Sequence, residues 1–136
     1  MPVNGRRRAA SGFTLVELMV TVMILAILAA IANSSYRKYV IRGHRTAAMA
    51  QMMDLANREQ QILLTNRVYA NKGTLVADGY ALEPSVAQFY DWDVTLTLGP
   101  PPGFLITFTP KGGQASDGPL TLDSQGARTP ADKWRR

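Results

Sequence analysis

From Leu18 to Tyr36 the chain holds no charged residue. At about 1.5 Å per residue, a helix over that run crosses roughly 30 Å of hydrocarbon. The pattern then changes. Tyr36, Tyr39/Val40, Ala47, Met52, Leu55 and Ile62/Leu63 follow helical spacing, while Arg37, Arg42, Arg45, Arg58 and Arg67 fall mostly on other faces. No proline lies between Phe13 and Asn66, and Gly43 is the only glycine there. The pattern predicts one helix of about fifty residues, apolar all round in its first half and amphipathic in its second. Over residues 67–91 the periodicity stops. Asn71-Lys72-Gly73 and Asp78-Gly79 are turn signals, so this stretch reads as a loop with one short element near Glu83–Gln88.

Strict alternation follows. Trp92, Val94, Leu96 and Leu98 share one strand face, and Phe104, Ile106 and Phe108 share another. Gly99-Pro100-Pro101-Pro102-Gly103 separates the two strands, which predicts an antiparallel hairpin. Leu120-Thr121-Leu122 is a third strand, and Asp123-Ser124-Gln125-Gly126 turns it towards a short fourth over Ala127–Thr129. The expected fold is α+β: a long N-terminal helix with a three- or four-stranded antiparallel sheet on its second half. Its parts are a basic leader (1–12), an apolar helix (13–34) and a head (35–136). Within the head come the second half of the helix (35–66), the loop (67–91), the sheet (92–129) and a tail (130–136).

Charge sharpens this picture. The chain has 136 residues and a net charge of +5. Arg6, Arg7 and Arg8 supply three of those charges; beyond residue 12, 12 basic and 10 acidic side chains remain. The basic balance is therefore mostly a topology signal that holds the leader on the cytoplasmic side. It is weak support for nucleic-acid binding. The chain has no cysteine, which excludes thiol catalysis, cysteine metal sites and disulfides. His44 is the only histidine, and no phosphate-binding loop motif occurs. No cofactor or metal is expected. Asp91 and Asp93, on either side of Trp92, read as surface charges.

Glu17 stands out, because a carboxylate in an apolar helix asks for a partner, and no basic residue lies between it and Arg37. Two readings of the N-terminus compete. In a secretory signal, Arg6–Arg8 is the charged region, Leu18–Leu28 the apolar one, and cleavage follows Ala30-Ile31-Ala32, before Asn33. That would release a secreted binding domain. In the other reading the cut follows Gly12 and the apolar helix stays. Glu17 and the helical pattern beyond Asn33 favour the second.

Gly12-Phe13-Thr14-Leu15-Val16-Glu17, behind a short basic leader, resembles the type IV pilins and type II secretion pseudopilins. Tyr36-Arg37-Lys38-Tyr39-Val40, Arg67-Val68-Tyr69-Ala70 and Leu120-Thr121-Leu122-Asp123-Ser124-Gln125-Gly126 resemble the PilE class of minor pilins. The resemblance implies a non-enzymatic structural subunit. A prepilin peptidase cuts between Gly12 and Phe13 and N-methylates Phe13. The subunit waits in the bacterial inner membrane as a single-pass protein, head outward, among lipid. The assembly machinery then draws it into a filament of pilin subunits on the cell surface. Twitching motility, adhesion and DNA uptake are the outputs such filaments serve. Glu17 is the assembly residue, paired with the Phe13 α-amino group of a neighbouring subunit; a wrong axial register would leave that charge buried and unpaired.

Departures from the family pattern accompany the likeness. Ala26 and Ser34 stand where the family has glycine and proline, which favours a straighter helix. The usual C-terminal cysteine pair is missing. Minor pilin, major pilin and pseudopilin remain open on these residues. Tyr36 and Tyr39 are expected to mark the membrane interface and pack against the sheet. Arg37, Lys38, Arg42 and Arg45 suit DNA or anionic headgroups, with a solvated helix face as the simpler reading. The basic tail around Trp134 suits a partner such as DNA, with a disordered or edge-packed terminus as the default. Asn33-Ser34-Ser35 matches a glycosylation acceptor by chance, inside the apolar helix.

Overall fold

The computed structural model describes residues 12–135; the arginines Arg6–Arg8 and the rest of the expected leader before Gly12 lie outside them. The chain divides into two units, Met1–Lys38 and Tyr39–Arg136. A single helix, α1 (Leu15–Asn66), contributes to both.

In the first unit, α1 starts at a cap. Thr14 Oγ1 accepts the Glu17 amide at 3.2 Å, satisfying one of the amides that a helix start leaves unpaired. The helix passes through Ala26 and Ser34 without a break. Its large apolar side chains from Phe13 to Ile31 are each 51–74% exposed. This is the one helix among the described residues long and apolar enough to cross a membrane. So much bare apolar surface is unfavourable in water and must be covered by lipid or protein.

The second unit is the head. Ala48, Met52, Leu55 and Glu59 form the buried stripe of α1. The sequence pattern placed Ala47 on this face, but Ala47 is exposed. The 4-3-4 spacing of the buried positions explains the difference, since Ala47 sits about 100° round the helix from Ala48. The helix stops at Arg67, whose φ of 65° is the left-handed turn that helix ends usually give to glycine.

The stretch read as loop contains two short helices. The second of them, α3 (Pro84–Ala87), falls where the short element was expected and carries proline in its first turn. The first, α2 (Lys72–Ala77), was read as turns. Asn71 is in fact its cap, accepting the Thr74 amide at 2.9 Å, and Gly79 (φ 82°) follows its end. Six residues are too few to show a period, and Leu75 is the buried residue of α2.

Four strands follow: β1 (Tyr90–Thr97), β2 (Gly103–Pro110), β3 (Leu120–Asp123) and β4 (Arg128–Thr129). They form one antiparallel sheet in the order β1-β2-β3-β4. The hairpin is in the expected phase: Trp92 faces Phe108, Val94 faces Ile106 and Leu96 faces Phe104. Leu98 departs from expectation. Pairing ends at Thr97–Gly103, so Leu98 has no cross-strand neighbour and is 96% exposed. Tyr90, outside the predicted strand, begins β1 and is buried.

Met52 and Leu55 of α1 share one core with Leu75, Tyr90, Ile106, Phe108 and Leu120. Burying each such side chain contributes about 1.5–3 kcal/mol. Tyr36 and Tyr39 take no part in it. They are 68% and 78% exposed, and for Tyr39, which belongs to the same unit as the sheet, this corrects the expectation that it packs there. The fully buried stripe of α1 begins only at Ala48.

Candidate functional site

The three residues singled out at the N-terminus, Gly12, Phe13 and Glu17, all lie at the start of α1 and are exposed. A Cβ added at Gly12 would meet nothing within 4 Å, so the fold itself places no demand for glycine there. Phe13 is 72% exposed. Thr14-x-x-Glu17 has the spacing of a capping box, and Glu17 is the acid in the first turn, where the helix dipole favours negative charge. The sequence reading missed this local role. Among the described residues the Glu17 carboxylate has no ion-pair partner.

The head carries a second feature. A groove of about 820 Å³ runs between α1 and the C-terminal segment. Its walls carry Arg42 and Arg45 from α1, Arg128 from β4, and Lys133 and Arg135 from the tail, against a single lining acid, Asp132. Met49 and Met53 contribute apolar surface. The Arg128 guanidinium lies 5.1 Å from the Trp134 ring centre, a cation–π distance, and reaches the Met53 sulfur at 3.8 Å. Trp134 is half-buried against the core. The tail is thus packed at the edge of the head, and the basic residues on either side of Trp134 face a common groove with those of α1.

A second hollow, about 530 Å³, lies beside the turns that join β1 to β2 and β3 to β4. Tyr69, Pro101, Pro102 and Asp123 line it, and no basic side chain does. Of these two hollows, the first has the charge to hold an anion.

Arg45 differs from its neighbours in the groove. Its Nε donates to Asp117 Oδ2 at 2.8 Å and its Nη2 to Asp117 Oδ1, a two-pronged ion pair. Asp117 holds the Arg45 guanidinium above its usual range through these bonds, against the opposing effect of burial. Gln114 extends the cluster. Its amide nitrogen donates to the Ile41 carbonyl and the Tyr90 hydroxyl, each at 2.9 Å. Burial pushes the Tyr90 hydroxyl up to about 12. Arg45 is therefore a structural clasp with its charge already matched. That corrects its reading as part of a solvated face, whereas Arg42 is exposed as expected. No sequence spacing signals a contact between positions 45 and 117; only the 3-10 segment Gly112–Asp117 brings them together.

The remaining candidates are accounted for locally. His44 stacks on Phe89 with ring centres 3.8 Å apart. Asp91 pairs with Lys111 at the surface at 2.8 Å, and Asp93 is exposed. Asp123 closes its tight turn by accepting the Gln125 and Ala127 amides at 2.9 and 2.8 Å.

A long helix with a bare apolar first half, and a four-stranded antiparallel sheet carried with its second half, defines a pilin-type structural subunit. Comparison with known proteins agrees. Residues 7–33 match the prokaryotic N-terminal methylation motif, and residues 34–122 match the family described as "Type IV minor pilin ComP, DNA uptake sequence receptor". The chain belongs to this family of type IV minor pilins.

It is also similar to a fimbrial protein of Pseudomonas aeruginosa, 36% identical over 67 residues, or 49% of this chain and 44% of the relative. Fimbrial protein EcpC of Eikenella corrodens is 36% identical over 75 residues, 55% of this chain and 45% of the relative. A fimbrial protein of Moraxella nonliquefaciens is 39% identical over 71 residues, 52% of this chain and 42% of the relative. The matches span less than half the length of these curated relatives. No solved structure matches the chain significantly. The proteins of this family are structural subunits rather than enzymes.

Proposed function

We propose that the chain is a minor subunit of a type IV pilus. It is cut between Gly12 and Phe13 by a prepilin peptidase, methylated at Phe13, and held in the inner membrane by α1 with its head outward. It then enters a surface filament with other pilins. The observation that carries this reading is the exposed apolar surface from Phe13 to Ile31, with a single carboxylate at its start. Lipid covers that surface before assembly and neighbouring helices cover it afterwards. Glu17 pairs with the α-amino group of Phe13 on the next subunit, so a slipped register strands a buried charge. Glu17→Val should insert into membranes normally but appear in sheared filaments at a tenth or less of the normal amount. Equal incorporation would sink the pairing. The mature protein starts at Phe13 on this reading; a start at Asn33, by N-terminal sequencing, would instead mark a released secreted domain.

The groove supports a finer reading, that the head binds DNA. The matched family is described as a DNA uptake sequence receptor, and the groove gathers Arg42, Arg128, Lys133 and Arg135 on one surface. Cations so placed, three of them exposed, suit backbone phosphates. Replacing Arg128 and Lys133 together by alanine should weaken duplex binding about tenfold. It should also reduce the slope of log affinity against log salt by roughly 2, one per phosphate contact. An unchanged slope would place DNA elsewhere on the head. Motility and adhesion are other outputs of a pilus to which this subunit belongs.

A further inference from the structure

Glu59 is a buried acid with only half of its carboxyl group satisfied. It is 0% exposed. Its Oε2 accepts the Ala70 amide at 2.9 Å, while its Oε1 is buried without a partner among the described residues. The left-handed turn at Arg67 folds the chain back so that Ala70, itself buried, reaches Glu59 across eleven positions. Next to it, Tyr69 sets its ring edge-on to Phe104 at 4.9 Å. The carboxyl thus fastens the first turn of the segment after α1 to the helix.

We propose that Glu59 is a pH-sensitive latch: neutral, it holds the segment 67–71 against α1, and once ionised it leaves the core and releases Ala70.

Among the described residues no cation stands ready to neutralise it. Arg58, next to it on α1, is turned to the Tyr80 ring at 5.6 Å and the Asp78 carbonyl at 3.4 Å. Asp54, also on α1, is exposed and of the wrong sign. On the following segment Arg67 is exposed, and Lys72 donates to the Trp92 carbonyl at 2.7 Å. The Tyr69 hydroxyl lies 3.4 Å from the Gln60 amide nitrogen. On α3, Glu83 just precedes the helix and only Val86 is buried. Among the buried residues of the sheet the only titratable group is Tyr90, which belongs to the Gln114–Asp117 cluster.

A neutral carboxyl with one unmet bond costs little by comparison with an unpaired buried carboxylate, which is relieved only by moving into water. Burial pushes the Glu59 carboxyl up, and the Ala70 amide opposes this only in part. The unfolded chain gives up this proton in the ordinary carboxylate range. The stabilisation is therefore complete below that range, declines as pH rises through it, and is gone above the raised folded-state pKa.

The test uses the full chain in detergent micelles. Amide-exchange protection at Ala70 and its neighbours is followed against pH, together with the Glu59 side-chain carboxyl signal by carbon NMR. The expected result is a carboxyl that titrates above the ordinary range, with Ala70 protection falling at least tenfold over the same span. In Glu59→Gln, which is never charged, protection should stay flat. Two results overturn the latch: the same loss in Glu59→Gln, or wild-type titration without loss of Ala70 protection. If Glu59→Gln does not fold, the wild-type pair of measurements decides alone.

Discussion

Asp117→Ala should lower the stability of the head by about 3–5 kcal/mol, the usual cost of removing one partner from a buried ion pair. Asp117 is nearly buried and takes two bonds from Arg45. Without it a partly buried guanidinium is left without its anion, and Gln114 and Tyr90 lose the oxygen they cluster around. A domain of this size is held by only about 5–15 kcal/mol, so the loss is a large fraction of the whole. Urea unfolding of the full chain in micelles, followed by the fluorescence of Trp92 and Trp134, measures it. A loss under about 1 kcal/mol would show that the pair is mere surface charge. The double variant Arg45→Met/Asp117→Leu should recover much of the loss, because it leaves no charge without a partner. The clasp has a particular duty in a chain without cysteine. It ties the segment after β2 to α1 by side-chain bonds.

Gly12→Glu should leave a precursor that stays in the membrane and is absent from filaments. The reason lies outside the fold, since a side chain at Gly12 has open space around it. A loss of processing would therefore report on the enzyme that reads this bond and not on a damaged head. Mass spectrometry of membrane and filament fractions separates precursor from mature chain. Normal cleavage of the variant would remove the peptidase from the proposed pathway.

The two halves of the molecule differed in how far they could be read in advance. The helix was legible because nothing interrupts it: no proline from Phe13 to Asn66, and a charge-free run that forms a helix wherever it is covered. The hairpin was legible because alternation has a period of two, and register then follows from which face is apolar. Leu98 shows the limit of that rule, since alternation continues past the point where a partner strand exists. The short helix α2 was missed because its signal is a cap, Asn71, which the eye assigns to a turn. Glu59 was missed because a glutamate on an amphipathic helix is normally solvated; nothing local says that the chain will fold back over it.

The order of apolar and polar residues along the chain determined the long helix, the hairpin and the place of the Gly12, Phe13 and Glu17 motif. These rest on local spacing, and local spacing is all that a helix start or a strand face needs. Tertiary structure alone decided what the head's charges do. Arg45 became a clasp, Arg42 and Arg128 came to face one groove with the tail, and Glu59 was sealed in the core. The physical reason is the same in each case. A charge takes its role from the partner and the solvent it meets, and those partners are set by chain reversals at Arg67, at the segment after β2 and at β4, not by neighbours in sequence.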